Sequence, residues 1–91
     1  MIKIVEIIDT SNFEITCKFN TGVIKKINVL PLLKNHAHLV GIDKLYNEKV
    51  FATATIGKNG EILWKNIIQI QYKNETNIWD YDISPEFVYY N

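Results

Sequence analysis

Two histidines one residue apart, His36 and His38, are the residues with the clearest potential for metal chemistry. A His-x-His pair can chelate zinc or copper through its imidazole nitrogens. No cysteine cluster and no well-spaced third ligand accompanies the pair, and Asp43 is the only nearby acid that could orient a catalytic imidazole. We therefore interpret the two histidines as an ordinary surface pair in a loop and predict no metal site.

The chain has a single cysteine, Cys17, so it can form neither an internal disulfide nor a Cys-x-x-Cys metal or redox motif. Cys17 lies between Ile15 and Phe19 on the apolar side of an alternating segment. A buried cysteine behaves as a small hydrophobic residue. We expect Cys17 to fill the core rather than to act as a nucleophile.

Two further groups have residue types suited to ligand binding but not the required spacing. Asp80, Asp82 and Glu86 carry carboxylates that could bind a hard cation, yet they lack the spacing of a calcium-binding loop. The glycines of residues 57–60 precede no strand-to-helix element of the kind that holds phosphates. The sequence therefore assigns no catalytic residue, no cofactor and no metal.

The composition predicts a single globular domain over residues 1–91. Hydrophobic residues make up 47% of the chain and charged residues 22%, a balance typical of folded rather than disordered proteins. Ten Lys balance ten Asp and Glu, and there is no Arg, the residue best suited to phosphates and guanine edges. We therefore expect no nucleic-acid partner. Because no apolar run is long enough to cross a membrane and no signal-peptide core is present, we expect a cytoplasmic location and no membrane association.

Alternating apolar residues predict the strands that would position these groups. Residues 2–8, 13–19 and 23–29 fit three strands, since successive side chains in a strand point to opposite faces. The pattern is cleanest over 13–19, where every odd-numbered residue is apolar. Gly22 suits the tight loop of the hairpin that joins the second and third strands.

A longer hairpin is predicted over residues 50–72, with its turn at residues 57–60. Its first arm, residues 50–56, places alternate apolar side chains on one side, and its second arm is expected to bend near Asn66. A short strand over residues 78–82 follows.

Short helical turns complete the predicted fold. Asn28 and Asn47 are expected to cap two of them, and Ser84 followed by Pro85 begins a third. We predict an α+β fold with a small, curved antiparallel sheet of about five to seven strands built from hairpins. Two or three short helices would pack on one face of that sheet.

Aromatic residues are concentrated at the end of the chain. Five of the eleven fall in the last 13 positions: Trp79, Tyr81, Phe87, Tyr89 and Tyr90. They cannot all point inward from one short strand and one helical turn, and Trp and Tyr are common anchors of protein interfaces. Together with Asp82 and Glu86 they are our candidate protein-binding residues. The alternative is that the aromatic residues close one end of the core.

Five segments form an ordered set along the chain: residues 19–22 (FNTG), 28–33 (NVLPLL), 45–51 (LYNEKVF), 60–64 (GEILW) and 82–89 (DISPEFVY). Together these segments resemble the bacterial "domain of unknown function 2442" family. The chain departs from the family pattern at Thr21, where Asp is usual, at Leu30, where Ser is usual, and at Ile67, where Gly is usual. Residues 67–81 read as an insertion relative to the family, predicted to form an extra strand pair.

The resemblance implies a small α+β domain on an antiparallel sheet, with Asp82 and Glu86 as turn and capping residues. Members of that family lie beside genes for another small uncharacterised family, and such pairs are regarded as candidate toxin–antitoxin modules. Our leading hypothesis is a non-catalytic protein-interaction domain, with the antitoxin-like partner of a small neighbouring toxin as its most specific form. One alternative is a small-molecule-binding or enzymatic domain with a cleft near Trp64 and residues 82–89. The other is a homodimer formed through an exposed sheet edge within residues 67–81.

Overall fold

Six strands form two antiparallel sheets in the computed structural model, which describes residues 1–91. The N-terminal sheet has the order β1-β2-β3, and the C-terminal sheet has the order β4-β5-β6. The strands are β1 Ile4–Asp9, β2 Glu14–Phe19, β3 Ile24–Asn28, β4 Thr55–Ile56, β5 Ile62–Tyr72 and β6 Glu75–Ile83. The helices are α1 Leu30–Asn35, α2 Glu48–Phe51 and α3 Pro85–Tyr89, with single 3-10 turns at Ser11–Phe13 and Ile42–Tyr46.

The α+β class with antiparallel hairpins and short helices is confirmed, but the strands are divided between two sheets. A single curved sheet would need a strand that pairs with both hairpins. Instead, β1 contacts the second hairpin through one backbone bond, in which the Ile4 amide donates to the Gly60 carbonyl oxygen at 3.0 Å. None of the helices is long and apolar enough to span a membrane.

Strand β2 behaves as its alternation predicts. Ile15, Cys17 and Phe19 are buried, while Lys18 between them is exposed. Burial raises the pKa of the Cys17 thiol, because removal from water disfavours the thiolate. Phe13 does not continue the strand, because its backbone adopts a φ of 60°.

The prediction of a strand over residues 50–56, the first arm of the long hairpin, is wrong. Residues 48–51 form helix α2, and only Thr55–Ile56 pairs with β5. The Asn47 side chain accepts hydrogen bonds from the Lys49 and Val50 amides at 2.9 and 3.3 Å, which satisfies the free N–H groups of a helix start. The cap predicted at Asn47 is therefore present, and it begins a helix where the apolar alternation indicated a strand.

The second arm bends where expected and then extends further than expected. Asn66 has a φ of 58°, and the register between β5 and β6 shifts between Trp64 and Ile68, which is a β-bulge. Beyond the bulge the two strands continue as a two-stranded ribbon of residues 68–79, so β6 is longer than the predicted strand over 78–82. The extra strand pair predicted within residues 67–81 is present.

Trp64 lies at the centre of the core that joins the two sheets. Its side chain is fully buried, its Nε1–H donates to the Phe51 carbonyl oxygen at 2.9 Å, and its ring packs on that of Phe51 at 5.4 Å. The loop that precedes the second 3-10 turn is attached to β5 just beyond the bulge, because the Gln69 amide donates to the Val40 carbonyl oxygen at 2.9 Å. The core therefore depends on contacts that link residues distant in the sequence.

Candidate functional site

A cavity of about 280 Å³ opens beside the end of β6, between α1 and α3. We call it the C-terminal cavity. Its lining combines apolar and polar side chains. The apolar side chains are those of Leu32, Ile83 and Phe87, and the polar groups belong to His36, Tyr81, Asp82 and Ser84. Concave sites that mix apolar walls with a few polar groups are the usual form of a ligand site.

The polar centre of the C-terminal cavity is a hydrogen bond between Tyr81 and His36. The Tyr81 hydroxyl lies 2.6 Å from His36 Nδ1, and the two rings meet edge to face at 5.6 Å. Tyr81 is buried and also packs on Trp64 at 5.9 Å, so the core fixes the position of its hydroxyl. The tautomer of His36 sets the direction of this hydrogen bond: with the imidazole proton on Nε2, Nδ1 accepts from the Tyr81 hydroxyl.

Burial, followed by the nearby charge of Asp82, raises the pKa of Tyr81 to about 12. Both causes act in the same direction, because each disfavours the phenolate anion. Tyr81 is therefore protonated at neutral pH and serves as a hydrogen-bonding group rather than as a nucleophile. Ser84 is also occupied, since its Oγ accepts from the Phe87 amide at 3.1 Å as the N-cap of α3.

The interpretation of the histidines as an ordinary surface pair is wrong for His36. His36 ends α1, is half-buried and holds Tyr81, whereas His38 is exposed. The two imidazole rings lie 6.3 Å apart, and no group of three His, Cys, Asp or Glu side chains is gathered at metal-binding distance. The sequence places His36 and Tyr81 45 positions apart, so no local pattern connects them.

The predicted protein-binding residues do not form one surface. Tyr81, Asp82 and Phe87 line the C-terminal cavity, with Phe87 partly exposed at its rim. Glu86 lies in an adjoining groove with Met1 and Glu61, and this groove shares Asp82 and Ser84 with the C-terminal cavity.

The other aromatic residues of the predicted set lie elsewhere. Tyr89 is half-buried and packs edge to face on Phe19 at 4.9 Å, which closes one end of the core. Tyr90 contacts Tyr89 at 5.2 Å and is otherwise exposed. Trp79 lies on the ribbon with 59% of its surface exposed. The two alternatives for the aromatic residues therefore apply to different members of the set.

The acidic group is also divided by the fold. Asp80 accepts a hydrogen bond from the Asn66 amide at 2.9 Å and so holds the bulge of β5. Asp82 borders the C-terminal cavity, and Glu86 lies in the first turn of α3. Asp82 shares one surface pocket with Asp80 and another with Glu86, but the three carboxylates are not gathered at metal-binding distance.

The ribbon carries four of the large hydrophobic side chains that the fold leaves exposed. Ile70, Tyr72, Ile78 and Trp79 are 41%, 65%, 47% and 59% exposed. The register places Ile70, Tyr72 and Trp79 on one face of the ribbon and Ile78 on the other. Of these four residues, only Trp79 is among the protein-binding residues predicted from the sequence. The signal for Ile70 and Tyr72 was the continued apolar alternation of β5 beyond Asn66. We call these four side chains the ribbon surface.

Replacing Tyr81 by phenylalanine is expected to lower the free energy of unfolding by about 1 kcal/mol at neutral pH, because the bond to His36 is lost. The variant also loses the part of the pH dependence of stability that comes from ionisation of Tyr81. The folded-state pKa of Tyr81 is about 12 against an ordinary value of 10.0, so the unfolded chain releases this proton first. Stability from this group is complete below pH 10 and is lost as pH rises from about 10 to about 12.

Denaturant unfolding at pH 7 and at pH 11, followed by circular dichroism, measures both effects. Tyr72→Phe is the matched control, because Tyr72 is 65% exposed. An absorbance titration near pH 11 should show one tyrosine that ionises later than the rest in the native protein and not in Tyr81→Phe. Equal behaviour of the two variants contradicts the prediction.

Comparison with protein-family models, with curated proteins and with solved structures gives no match to this chain.

Proposed function

We propose that this chain is a non-catalytic protein-interaction domain whose contact surface is the ribbon surface. The observation that carries the proposal is the 41–65% exposure of Ile70, Tyr72 and Trp79 on one face of a projecting strand pair, with Ile78 exposed on the other face. Exposed apolar patches on a folded protein mark contact sites, because covering them removes apolar area from water. Trp and Tyr are the residues that contribute most to such contacts.

The shape of the protein supports the same proposal. The molecule measures 46 Å along its longest axis and 27 and 20 Å along the others. The ribbon has no third strand beside β6, so its backbone groups on that side are free to pair. Side chains and backbone edge together give a partner both apolar contacts and hydrogen bonds.

The resemblance to the "domain of unknown function 2442" family suggests which partner to test. Under this proposal the chain acts in the bacterial cytoplasm and binds the product of a neighbouring gene, as the antitoxin-like member of a pair. Phe87 and Tyr90 add exposed aromatic area outside the ribbon surface. They give a second, separate surface against which the ribbon can be compared.

Co-expression with the neighbouring gene product, followed by size-exclusion chromatography, tests the proposal. We expect a complex that is lost in Trp79→Ser and in Tyr72→Ser. Tyr90→Ser is the matched control, because Tyr90 is 74% exposed but lies outside the ribbon surface. Separate elution of the two wild-type proteins at micromolar concentration would overturn the toxin–antitoxin form of the proposal, and loss of the complex in Tyr90→Ser alone would move the contact to the C-terminal helix.

A second candidate function is binding of a small molecule in the C-terminal cavity. The observation that favours it is the Tyr81–His36 hydrogen bond at 2.6 Å in a cavity of about 280 Å³ with Leu32 and Phe87 in its walls. Nε2 of His36 has no hydrogen-bond partner within the protein, so it remains available to a ligand. A flat, largely apolar molecule with one hydrogen-bonding group fits this chemistry.

Proton–nitrogen NMR spectra recorded with aromatic amide and phenol fragments test the second candidate. We expect shift changes at Leu32, Ser84 and Phe87 that saturate with fragment concentration and disappear in Phe87→Ala. Trp79→Ala is the control, because Trp79 lies outside the C-terminal cavity. Shift changes confined to the ribbon, or none at millimolar concentration, would exclude the second candidate.

A further inference from the structure

Strand β6 has a long free edge that lacks several of the features that usually prevent pairing, and its only charged residues are Glu75, Asp80 and Asp82. It is the outer strand of the C-terminal sheet and runs nine residues, Glu75–Ile83. Its sequence contains no Pro, Gly or Lys, and the bulge of this strand pair lies in β5 rather than in β6. Natural proteins protect such edges with prolines, lysines, bulges or covering elements, so an unprotected edge indicates a pairing site.

The hairpin geometry fixes which backbone groups of β6 point to the free edge. A two-residue connection makes Tyr72 and Glu75 a mutually hydrogen-bonded pair, so the odd-numbered residues of β6 point their N–H and C=O groups toward β5. The Gln69 amide, which points away from β6 to Val40, agrees with this alternation. The even-numbered residues therefore present their backbone groups outward: Thr76, Ile78, Asp80 and Asp82.

These outward groups are complementary to those of a second copy of the same strand. If two β6 strands pair antiparallel with Trp79 on the two-fold axis, all nine residues overlap. Ile78 then faces Asp80 of the second copy, and Thr76 faces Asp82 of the second copy. The two-fold axis repeats both pairs, so there are four such pairs in the dimer. Each pair exchanges two backbone hydrogen bonds, which gives about eight bonds between the two strands.

The charges of β6 favour the register with the axis at Trp79 over the register with the axis one residue further along the strand. With the axis at Trp79, no carboxylate lies opposite another carboxylate. Moving the axis by one residue places Asp80 opposite Asp80 of the second copy, and like charges directly opposite are destabilising. Moving it to Ile78 avoids that conflict but shortens the overlap to about seven strand residues.

The exposure of Trp79 is explained by the same arrangement. On the two-fold axis the two Trp79 side chains form a cross-strand pair without mutual hydrogen bonds, the closer of the two antiparallel pair types. Aromatic side chains in such pairs contact each other directly. A side chain that is 59% exposed in the monomer is thereby covered.

We propose that two copies of this chain form a symmetric dimer by antiparallel pairing of their β6 edges about Trp79. The two C-terminal sheets become one continuous six-stranded sheet. The inference rests on one part of the proposed function, the role of the ribbon as a protein contact, and it names a second copy, rather than the neighbouring gene product, as the chain that covers Trp79. An isologous contact of this kind closes after two subunits and does not propagate into a fibre.

Substitutions of Ile78 test the register, since each copy places this residue opposite Asp80 of the other. Ile78→Lys creates two opposite-charge pairs across the axis and is expected to tighten the dimer about three- to thirtyfold. Ile78→Asp creates two like-charge pairs and is expected to weaken it to a similar degree. A dimer held only by unspecific apolar contact would be weakened by both substitutions.

Sedimentation equilibrium between micromolar and hundred-micromolar concentration gives the dissociation constants. The wild type is expected to reach twice the monomer mass of 10.6 kDa. Circular dichroism of each variant checks that the monomer is folded, and Tyr90→Ser is the control outside the edge. A wild-type monomer at every concentration, or equal weakening by both Ile78 substitutions, would overturn the dimer.

These experiments distinguish failure of the dimer from failure of the proposed protein-interaction function. A monomeric protein that still forms a complex with the neighbouring gene product, sensitive to Trp79→Ser, overturns the dimer and supports the interaction domain. A monomer that forms no such complex overturns both. A dimer with the expected Ile78 response supports both the dimer and the role of the ribbon as a protein contact.

Discussion

Replacing Trp64 by alanine is expected to lower the free energy of unfolding by about 3–5 kcal/mol. The indole is fully buried between Phe51 and Tyr81, so its removal leaves a cavity between the two sheets. It also leaves the Phe51 carbonyl oxygen without its donor. A domain of 91 residues has a total stability of about 5–14 kcal/mol, so the expected loss is a substantial fraction of it. Denaturant unfolding followed by circular dichroism measures the loss.

The second tryptophan provides a matched control. Trp79→Ala removes the same side chain from a position that is 59% exposed, and a change within about 0.5 kcal/mol is expected when both proteins are monomeric. Trp64→Phe separates the two contributions at the core site, because phenylalanine keeps most of the packing and loses the hydrogen bond. Equal costs for Trp64→Ala and Trp79→Ala would contradict the assignment of Trp64 to the centre of the core.

Strand β2 of the N-terminal sheet could be predicted because one of its faces is buried along most of its length. Strand β2 alternates with period two, and Ile15, Cys17 and Phe19 all face the core. The turn at Gly22 has a φ of 89°, as its residue type suggests. Where local pattern and burial agree, sequence alone specifies the strand, its register and its inner face.

The same reasoning gave the wrong element over residues 50–56. A short apolar alternation is compatible with a strand and with a single helical turn followed by a loop. The Asn47 cap and the packing of Phe51 on Trp64 decide for the helix, and the second of these is a tertiary contact. The division into two sheets has a similar origin, because it depends on where β1 lies relative to a hairpin more than fifty residues away.

The candidate site was predictable by residue type but not by placement. Trp79 and Tyr81 have the same parity on β6, so alternation gives them the same face, yet Tyr81 is buried and Trp79 is exposed. The difference arises at the bulge, where Asn66 turns the ribbon away from the core. His36 was missed because its importance depends on Tyr81, which lies on a different element.

Gly41→Ala is expected to lower the free energy of unfolding by about 2–5 kcal/mol, because two separate costs add at this position. Gly41 has a φ of 100°, a conformation that a side chain disfavours. A Cβ there would also collide with the carbonyl oxygen of Ile67, in the bulge of β5. Relief of the collision requires either the loop or the bulge to move. Movement of the bulge would disturb the Gln69–Val40 hydrogen bond and the base of the ribbon.

Gly22→Ala separates the backbone strain from the collision. Gly22 has a similar φ of 89°, but a Cβ there would meet no atom within 4 Å. Its expected cost is therefore the strain alone, about 1–2 kcal/mol. Thermal and denaturant unfolding of both variants gives the difference, which measures how closely the loop packs on the bulge. If the two alanine variants lose the same stability, the approach of Gly41 to Ile67 does not constrain the fold, and the Gln69–Val40 and Asn66–Asp80 hydrogen bonds are sufficient to position the ribbon.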